Sequence, residues 1–258
     1  MLTAITRQVS PSIVHCELTH LPRVEIHYEI ARQQHRQYED LLTGLGCQLI
    51  SLEPEAEFPD SVFVEDVAVI LDEIGILARP GAASRRSEVA SCAPVIGEYR
   101  ELKAIEPPGT LEGGDVLRIG KTLYVGLSGR TNNQGFDQLR SLAESFGYSV
   151  TPIPVKDCLH LKSAVSQVGP ETLLINPGWV DGVVFSGFQL LEIDRREPYA
   201  ANGLLVGDSL IYPQSFPSTA ERLVRRGVQL EPVDVSELQK AEGAVTCCSL
   251  VFEEGSGE

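Results

Sequence analysis

The sequence predicts an α/β fold built as a closed, pseudo-symmetric propeller of five ββαβ units, and three observations carry that prediction. Hairpin-like pairs of apolar runs recur along the chain. A helical stretch and a further short apolar run follow each pair. Landmark positions also repeat at a blade-sized period: Asp66, Asp115, Ser163, Gly203 and Cys248 stand 49, 48, 40 and 45 residues apart.

The elements follow in order. An apolar run at 3–8 opens the chain without a neighbouring partner, and helical spacing over 30–45 precedes a strand over 47–52. The first internal hairpin reads 62–71 then 75–78, with a helix over 84–99 and a strand over 102–106. The second reads 115–119 then 123–126, followed by a helix over 131–146 and a strand over 148–155. The third, 163–168 then 172–175, leads into a helix near 179–188 and a strand over 189–193. The fourth, 203–206 then 209–212, precedes a helix over 218–226 and a strand over 228–235. Turn residues separate the two runs of each pair, as a hairpin requires. The fifth hairpin is incomplete: 248–252 supplies one strand, and 3–8 is its natural partner. Pairing the chain ends closes the ring and removes the open sheet edges that invite aggregation. An open mixed sheet with helices on its faces is the alternative. Residues 1–258 therefore read as one catalytic domain, with 253–258 expected to be a disordered tail.

Composition narrows the function. The chain has 258 residues, 43% apolar and 22% charged, with a formal charge of −15. Nucleic acid and anionic membrane both need a basic face, so neither is expected as a partner. A negative field draws in small cations. The N-terminus lacks the basic-then-apolar layout of a signal peptide and no uncharged apolar stretch is long enough to span a bilayer, so a cytoplasmic location is expected. Six cysteines without a CxxC pair suit reduced thiols. His15, Cys16 and His20 lack a fourth ligand at metal-binding spacing, and no metal or cofactor is expected.

In a ring, equivalent repeat positions gather about the axis. The residues that lead into the first strands are Phe63-Val64-Glu65-Asp66, Leu111-Glu112-Gly113-Gly114-Asp115, Leu159-His160-Leu161-Lys162-Ser163, Ala201-Asn202-Gly203 and Thr246-Cys247-Cys248-Ser249. Taken singly these are unremarkable: a histidine beside leucines is more often a bonded core residue, and a cysteine on a strand mostly a small apolar one. Together they place acids, an imidazole and a thiol at one point, where acids without partners need a cationic ligand. Arg85 and Arg130 stand where helices are expected to begin, behind Ser84 and Ser128. Positive charge opposes the helix dipole there, yet an arginine beside a helix N-terminus makes a carboxylate clamp. A solvated arginine or a surface ion pair is the plainer reading of each. Acids for a cation, arginines for an anion and a thiol between them fit an arginine-like amino acid.

The segments Phe58-Pro59-Asp60-Ser61-Val62-Phe63-Val64-Glu65-Asp66, Arg79-Pro80-Gly81-Ala82, Leu111-Glu112-Gly113-Gly114-Asp115, Gly129-Arg130-Thr131-Asn132, Leu159-His160-Leu161-Lys162, Tyr199-Ala200-Ala201-Asn202 and Thr246-Cys247-Cys248-Ser249 resemble, in order, those of the dimethylarginine dimethylaminohydrolases. These belong to the guanidino-group modifying superfamily, whose fold is the five-bladed pentein propeller. The resemblance implies Cys247 as nucleophile, His160 as general acid/base and Glu112 as the acid that orients it or holds the substrate. It implies Asp60, Glu65 and Asp66 as guanidinium ligands and Arg85 and Arg130 as carboxylate ligands. Ala241 would offer backbone contacts to the substrate amino group, and Leu18 would lie on a lid. The implied reaction converts asymmetric dimethylarginine or monomethylarginine to citrulline and dimethylamine or methylamine through a cysteine-linked thiouronium. Glu242 stands where an aspartate is expected, and residues 10–30 match poorly. A deiminase-like hydrolase of another amino-acid guanidine and a non-catalytic arginine-binding propeller are the competing readings, and the chain is compatible with a homodimer.

Overall fold

The computed structural model describes residues 1–254. The chain opens with β1 (Leu2–Arg7), α1 (Tyr28–Gly44) and β2 (Gln48–Leu52). Next come β3 (Ala68–Ile70), β4 (Ile74–Leu77), α2 (Val89–Gly97) and β5 (Glu101–Ala104), then β6 (Val116–Ile119), β7 (Thr122–Leu127), α3 (Asn133–Glu144) and β8 (Ser149–Pro154). The helical turn α4 (Leu161–Ala164) precedes β9 (Val165–Gly169), β10 (Thr172–Ile175) and β11 (Gln189–Glu192). The last full repeat is β12 (Leu204–Val206), β13 (Ser209–Pro213), α5 (Pro217–Arg225) and β14 (Gln229–Val233), followed by α6 (Ser236–Gln239) and β15 (Leu250–Glu253).

These strands form five three-stranded sheets with one topology. In each, the first two strands pair antiparallel and the third lies parallel to the second. A tight turn can join only an antiparallel pair, whereas a parallel third strand needs a crossover; the sequence order hairpin, helix, strand is that geometry written along the chain. The fold is thus the five-bladed α/β propeller. One blade is sewn from both ends, with Leu2 opposite Glu253 and Ile5 opposite Leu250. That strand runs through Glu253, and the Glu254 N–H donates to the Met1 carbonyl, so pairing continues into the stretch expected as a tail. Residues 255–258 lie outside the described residues.

Helices form where a buried stripe allows it. In α1 the buried positions Ala31, Gln34, His35, Tyr38 and Leu42 recur at three- and four-residue spacing, one face of a helix. In α3 the Asn132 side chain caps the first turn by accepting from the Gly135 N–H at 2.8 Å. The helix expected near 179–188 is only a 3-10 turn at Gly182–Phe185. Two glycines, Gly182 and Gly187, and the adjacent Val183 and Val184 fall in that stretch, and glycine costs a helix about 1 kcal/mol apiece relative to alanine.

The runs leading into first strands also differ from a continuous strand reading. Val64–Val67, Gly113–Asp115, Leu161–Ala164 and Thr246–Cys248 are single helical turns, and the strands begin only after them. Residues 201–203 make no such turn. Each turn faces successive side chains in different directions, which decides what the axis presents on its two sides. Among the described residues no helix is long and apolar enough to cross a membrane, and all six cysteines are free thiols.

Candidate active site

Asp60, Asp66, Arg85, Arg130, His160, Ala241 and Cys247 line one small cavity, together with Glu17, Phe63, Leu159, Glu242 and Gly243. Its volume is about 20 Å³, room for about one water and far too little for an amino acid. The nucleophile candidate Cys247 is half-buried at its wall.

Local backbone chemistry places the imidazole. His160 immediately precedes α4, and Glu112 immediately precedes the turn Gly113–Asp115 of the neighbouring blade. Glu112 Oε2 and His160 Nε2 lie 2.6 Å apart, with both side chains buried. The other Glu112 oxygen accepts the Gly81 N–H at 3.0 Å. Two glycines follow Glu112 because nothing larger fits: a Cβ on Gly113 would stand 1.9 Å from the Glu65 carbonyl, and one on Gly114 2.6 Å from His160 Nδ1. Behind them Asp115 accepts the Leu161 N–H at 3.0 Å and the Ser128 hydroxyl at 2.6 Å, tying the histidine's turn to the Arg130 loop.

The charges are tightly coupled. Burial opposes the imidazolium, but Asp66, the bond to Glu112 and Asp115 outweigh it and raise His160 to about 9. Burial likewise opposes the Glu112 carboxylate, yet the His160 bond and charge, with Arg85 and Arg130 beyond, hold it down at about 2. Burial raises Asp60 above the usual carboxylate range and raises Asp115 to about 6. The Cys247 thiol is pushed far up by burial first, then by the charges of Glu65 and Asp66. At neutral pH the resting site therefore pairs a neutral thiol with an imidazolium.

The two arginines behave differently. Arg85 is buried and donates to Asp66 Oδ2 at 2.6 Å, to Glu88 from Nε and Nη2, and to the carbonyls of Asp60 and Phe63 from Nη2. One Nη1 hydrogen remains uncommitted, so Arg85 mainly shapes the acid cage. Arg130 is half-buried, 3.5 Å from Glu112 Oε1, and donates to the Thr19 hydroxyl at 2.9 Å. Neither opens an α-helix: Arg85 lies in the last turn of the 3-10 helix Ala83–Glu88 and Arg130 precedes α3. Ser84 caps nothing and donates to Glu17 instead, while the Ser128 hydroxyl accepts the N–H groups of Arg130 and Thr131. The expected conflict with the helix dipole does not arise.

Glu65 sits elsewhere. Its carboxylate accepts Lys162 Nζ and, at 2.8 Å, the Thr246 hydroxyl, and with them lines a separate cavity of about 540 Å³. Ala241 donates its N–H to the Leu238 carbonyl, leaving its own carbonyl as the group to meet a ligand amine. Leu18 is half-buried and packs against the apolar cluster that also holds Cys247. Asp66, Glu112 and His160 bring ligand atoms within 4.8 Å of one another. A divalent cation there would have to displace Arg85 from Asp66 and break the Glu112–His160 bond.

Sequence reasoning missed the closure. Glu17 N–H donates to Asp60 Oδ2 at 3.0 Å, and the N–H groups of Thr19, His20 and Leu21 all donate to the Glu242 carboxylate. Residues 17–21 are thereby pinned over the cavity. The departure from aspartate at 242 was the signal that could have found this, since the longer carboxylate is the one that reaches three successive amides.

Comparison with known proteins decides the family. The model for eukaryotic N,N dimethylarginine dimethylhydrolase matches residues 19–182. A dimethylarginine dimethylaminohydrolase of Streptomyces coelicolor is 38% identical over 97% of both chains. The chain belongs to the dimethylarginine dimethylaminohydrolase family. The Pseudomonas aeruginosa member is 36% identical over 87% of this chain and 89% of its own. A cysteine-to-serine form of it, solved with citrulline, superposes with a TM-score of 0.91 at 33% identity, covering 98% of this chain and 100% of that one. The arginine dihydrolase domain of ArgZ, from cyanobacteria, shares the fold at a TM-score of 0.89, 19% identity and 98% coverage of each chain. This family member is a cysteine hydrolase acting on guanidino C–N bonds.

Proposed function

We propose that the protein hydrolyses N-ω-methylated arginines, asymmetric dimethylarginine and monomethylarginine, to citrulline and dimethylamine or methylamine. The observation that carries this is the constellation itself: a buried thiol, an imidazolium held by Glu112, and acids in excess of the cations around one closed cavity. Its support is the likeness to enzymes named for that reaction, one of them solved with citrulline.

The charge state orders the steps. His160 is protonated at rest, so it is not the base that activates Cys247. A guanidinium set against Asp60 and Asp66 brings a positive charge beside the buried thiol; its attraction for the thiolate offsets the burial penalty and the field of Asp66, and the thiol loses its proton to solvent. Thiolate attack at the guanidinium carbon forms a C–S bond and a neutral tetrahedral adduct. His160 gives its proton to the alkylated nitrogen, the C–N bond breaks, and the amine leaves a cationic thiouronium on Cys247. Neutral His160 then takes a proton from water as the oxygen attacks, and the neutral adduct expels the Cys247 sulfur, its hydroxyl proton passing to that thiolate, to release citrulline and restore the resting thiol. Holding the planar cation over the sulfur makes the attack unimolecular. Arg130, with the spare Nη1 hydrogen of Arg85, binds the α-carboxylate, and the Ala241 carbonyl takes the α-ammonium. Because the cavity is closed at rest, residues 17–21 open to admit substrate and close to exclude water. We infer a cytoplasmic location from the reduced thiols.

Citrulline formation tests the proposal, with asymmetric dimethylarginine, monomethylarginine, arginine and agmatine offered in parallel. Turnover of the methylated arginines that disappears in Cys247→Ser supports it. Turnover of unmodified arginine alone would make the protein a deiminase, and binding without citrulline would make it a receptor.

A further inference from the structure

We propose that Asn202 is a positioning residue that holds the nucleophile in register with the acid/base histidine, an inference that rests on the reading of Cys247 and His160 given above. Asn202 leads into the fourth internal hairpin, between the blade that carries His160 and the one that carries Cys247. It is 2% exposed and lies outside the small cavity that holds Cys247, at the wall of an adjoining one of about 210 Å³. Its side-chain N–H groups donate to the Lys162 carbonyl at 2.9 Å and to the Thr246 hydroxyl at 2.9 Å, and its carbonyl accepts the Thr246 N–H at 3.1 Å. A carbonyl at one end and an N–H at the other allow one amide orientation only.

The two partners are what give these bonds meaning. Lys162 is two residues after His160, and Thr246 is the residue before Cys247. The Thr246 hydroxyl, having accepted from Asn202, donates to Glu65, whose other oxygen accepts Lys162 Nζ. A closed circuit thus runs from the Lys162 backbone through Asn202, Thr246 and Glu65 back to the Lys162 side chain. Four of the five approaches to the axis are stiffened by a helical turn of their own. The approach at 201–203 is not, and there one amide bridges the neighbours on both sides. Only a side chain with donor and acceptor at this length completes the circuit. Aspartate has no donor, alanine has neither group, and glutamine places the amide one methylene further out. A misplacement of about 1 Å at a reacting atom costs on the order of 10²-fold in rate.

The test measures kcat, KM and the rate of Cys247 alkylation by 2-chloroacetamidine, a cationic amidine that reports sulfur position without needing turnover. Asn202→Asp and Asn202→Ala are compared with wild type, and Thr246→Val cuts the same circuit should both asparagine variants fail to fold. Binding of asymmetric dimethylarginine is measured with each change in a Cys247→Ser background. The expected result for a folded Asn202 variant is a kcat lowered about 10- to 100-fold, alkylation slowed in proportion, and binding changed by less than about 3-fold. Thr246→Val is expected to lose about 3- to 10-fold in the same two rates. Rates within 2-fold of wild type in a folded variant, or a loss confined to binding, would overturn the inference. Should wild type form no citrulline, the alkylation rates alone decide it, which separates its failure from that of the proposed substrate.

Discussion

Two cavities meet at the axis of the ring, and they are opposites. One, of about 540 Å³, is lined by Glu65, Lys162 and Thr246; the other, of about 20 Å³, by Asp66, His160 and Cys247. They share the same blade ends, yet residues one or two apart in sequence face different sides: 65 and 66, 246 and 247, 160 and 162. On the large side the buried acid is matched by Lys162 and a hydroxyl, so nothing is left to bind. On the small side the acids Asp60, Asp66 and Glu112 exceed what Arg85, Arg130 and His160 neutralise once Glu88 has drawn on Arg85. Volume alone points to the wrong side. A site is recognised by unmet charge beside a nucleophile, not by empty space.

If that contrast is right, Cys247→Ser lowers citrulline formation by about 10³-fold or more while far-UV dichroism stays as in wild type. Lys162→Met strands Glu65 as a buried acid without its cation and costs about 3 kcal/mol of stability by urea melt. Adding Glu65→Gln to it should return most of that loss, because removing both partners leaves no orphan charge. Glu65→Gln alone should move KM by less than about 3-fold, the smaller response expected of an acid on the large side.

The Glu112→Gln variant reads the imidazolium directly. His160 at about 9 lies above its unfolded value of 6.5, so its contribution to stability is complete below about 6.5 and is lost as pH rises through 9. Catalysis follows the same proton, and wild-type kcat/KM should fall as pH rises through about 9. In Glu112→Gln that falling limb should shift to lower pH. A limb that stays in place would mean another group titrates there. Glu242→Ala frees the amides of residues 19–21, and Cys247 should then react with iodoacetamide about 5- to 10-fold faster, in line with a net loss of about 1 kcal/mol once water replaces these exposed bonds.

The ring was legible in the sequence because its repeat is: hairpins followed by a crossover and a strand recur every 40 to 49 residues, and the two chain ends read as halves of one hairpin. The convergence of Asp66, Glu112, His160 and Cys247 followed from the same repeat. Which side each residue faces was not legible. Periodicity read 62–71 and 163–168 as strands, but single helical turns occupy Val64–Val67 and Leu161–Ala164, and those turns send Glu65 and Lys162 away from Asp66 and His160. The burial of Arg85 beneath Asp66 and Glu88 was equally hidden, since it depends on a turn that brings 60, 63, 66 and 88 around one guanidinium. The pinning of residues 19–21 by Glu242 joins segments more than 220 residues apart, so the departure from aspartate at 242 marked the position without saying which amides it reaches.

The most direct test of the account is the mass of the protein caught during turnover. His160→Gly is mixed with S-methyl-L-thiocitrulline, whose methylthiolate leaves without the proton His160 would supply, then quenched in acid and digested. The mechanism predicts an amidine-linked adduct on the peptide containing Cys247, formed with release of methanethiol and slow to clear because the base for water is gone. An unmodified Cys247 in a sample that has released methanethiol, or an adduct on any other residue, would contradict it.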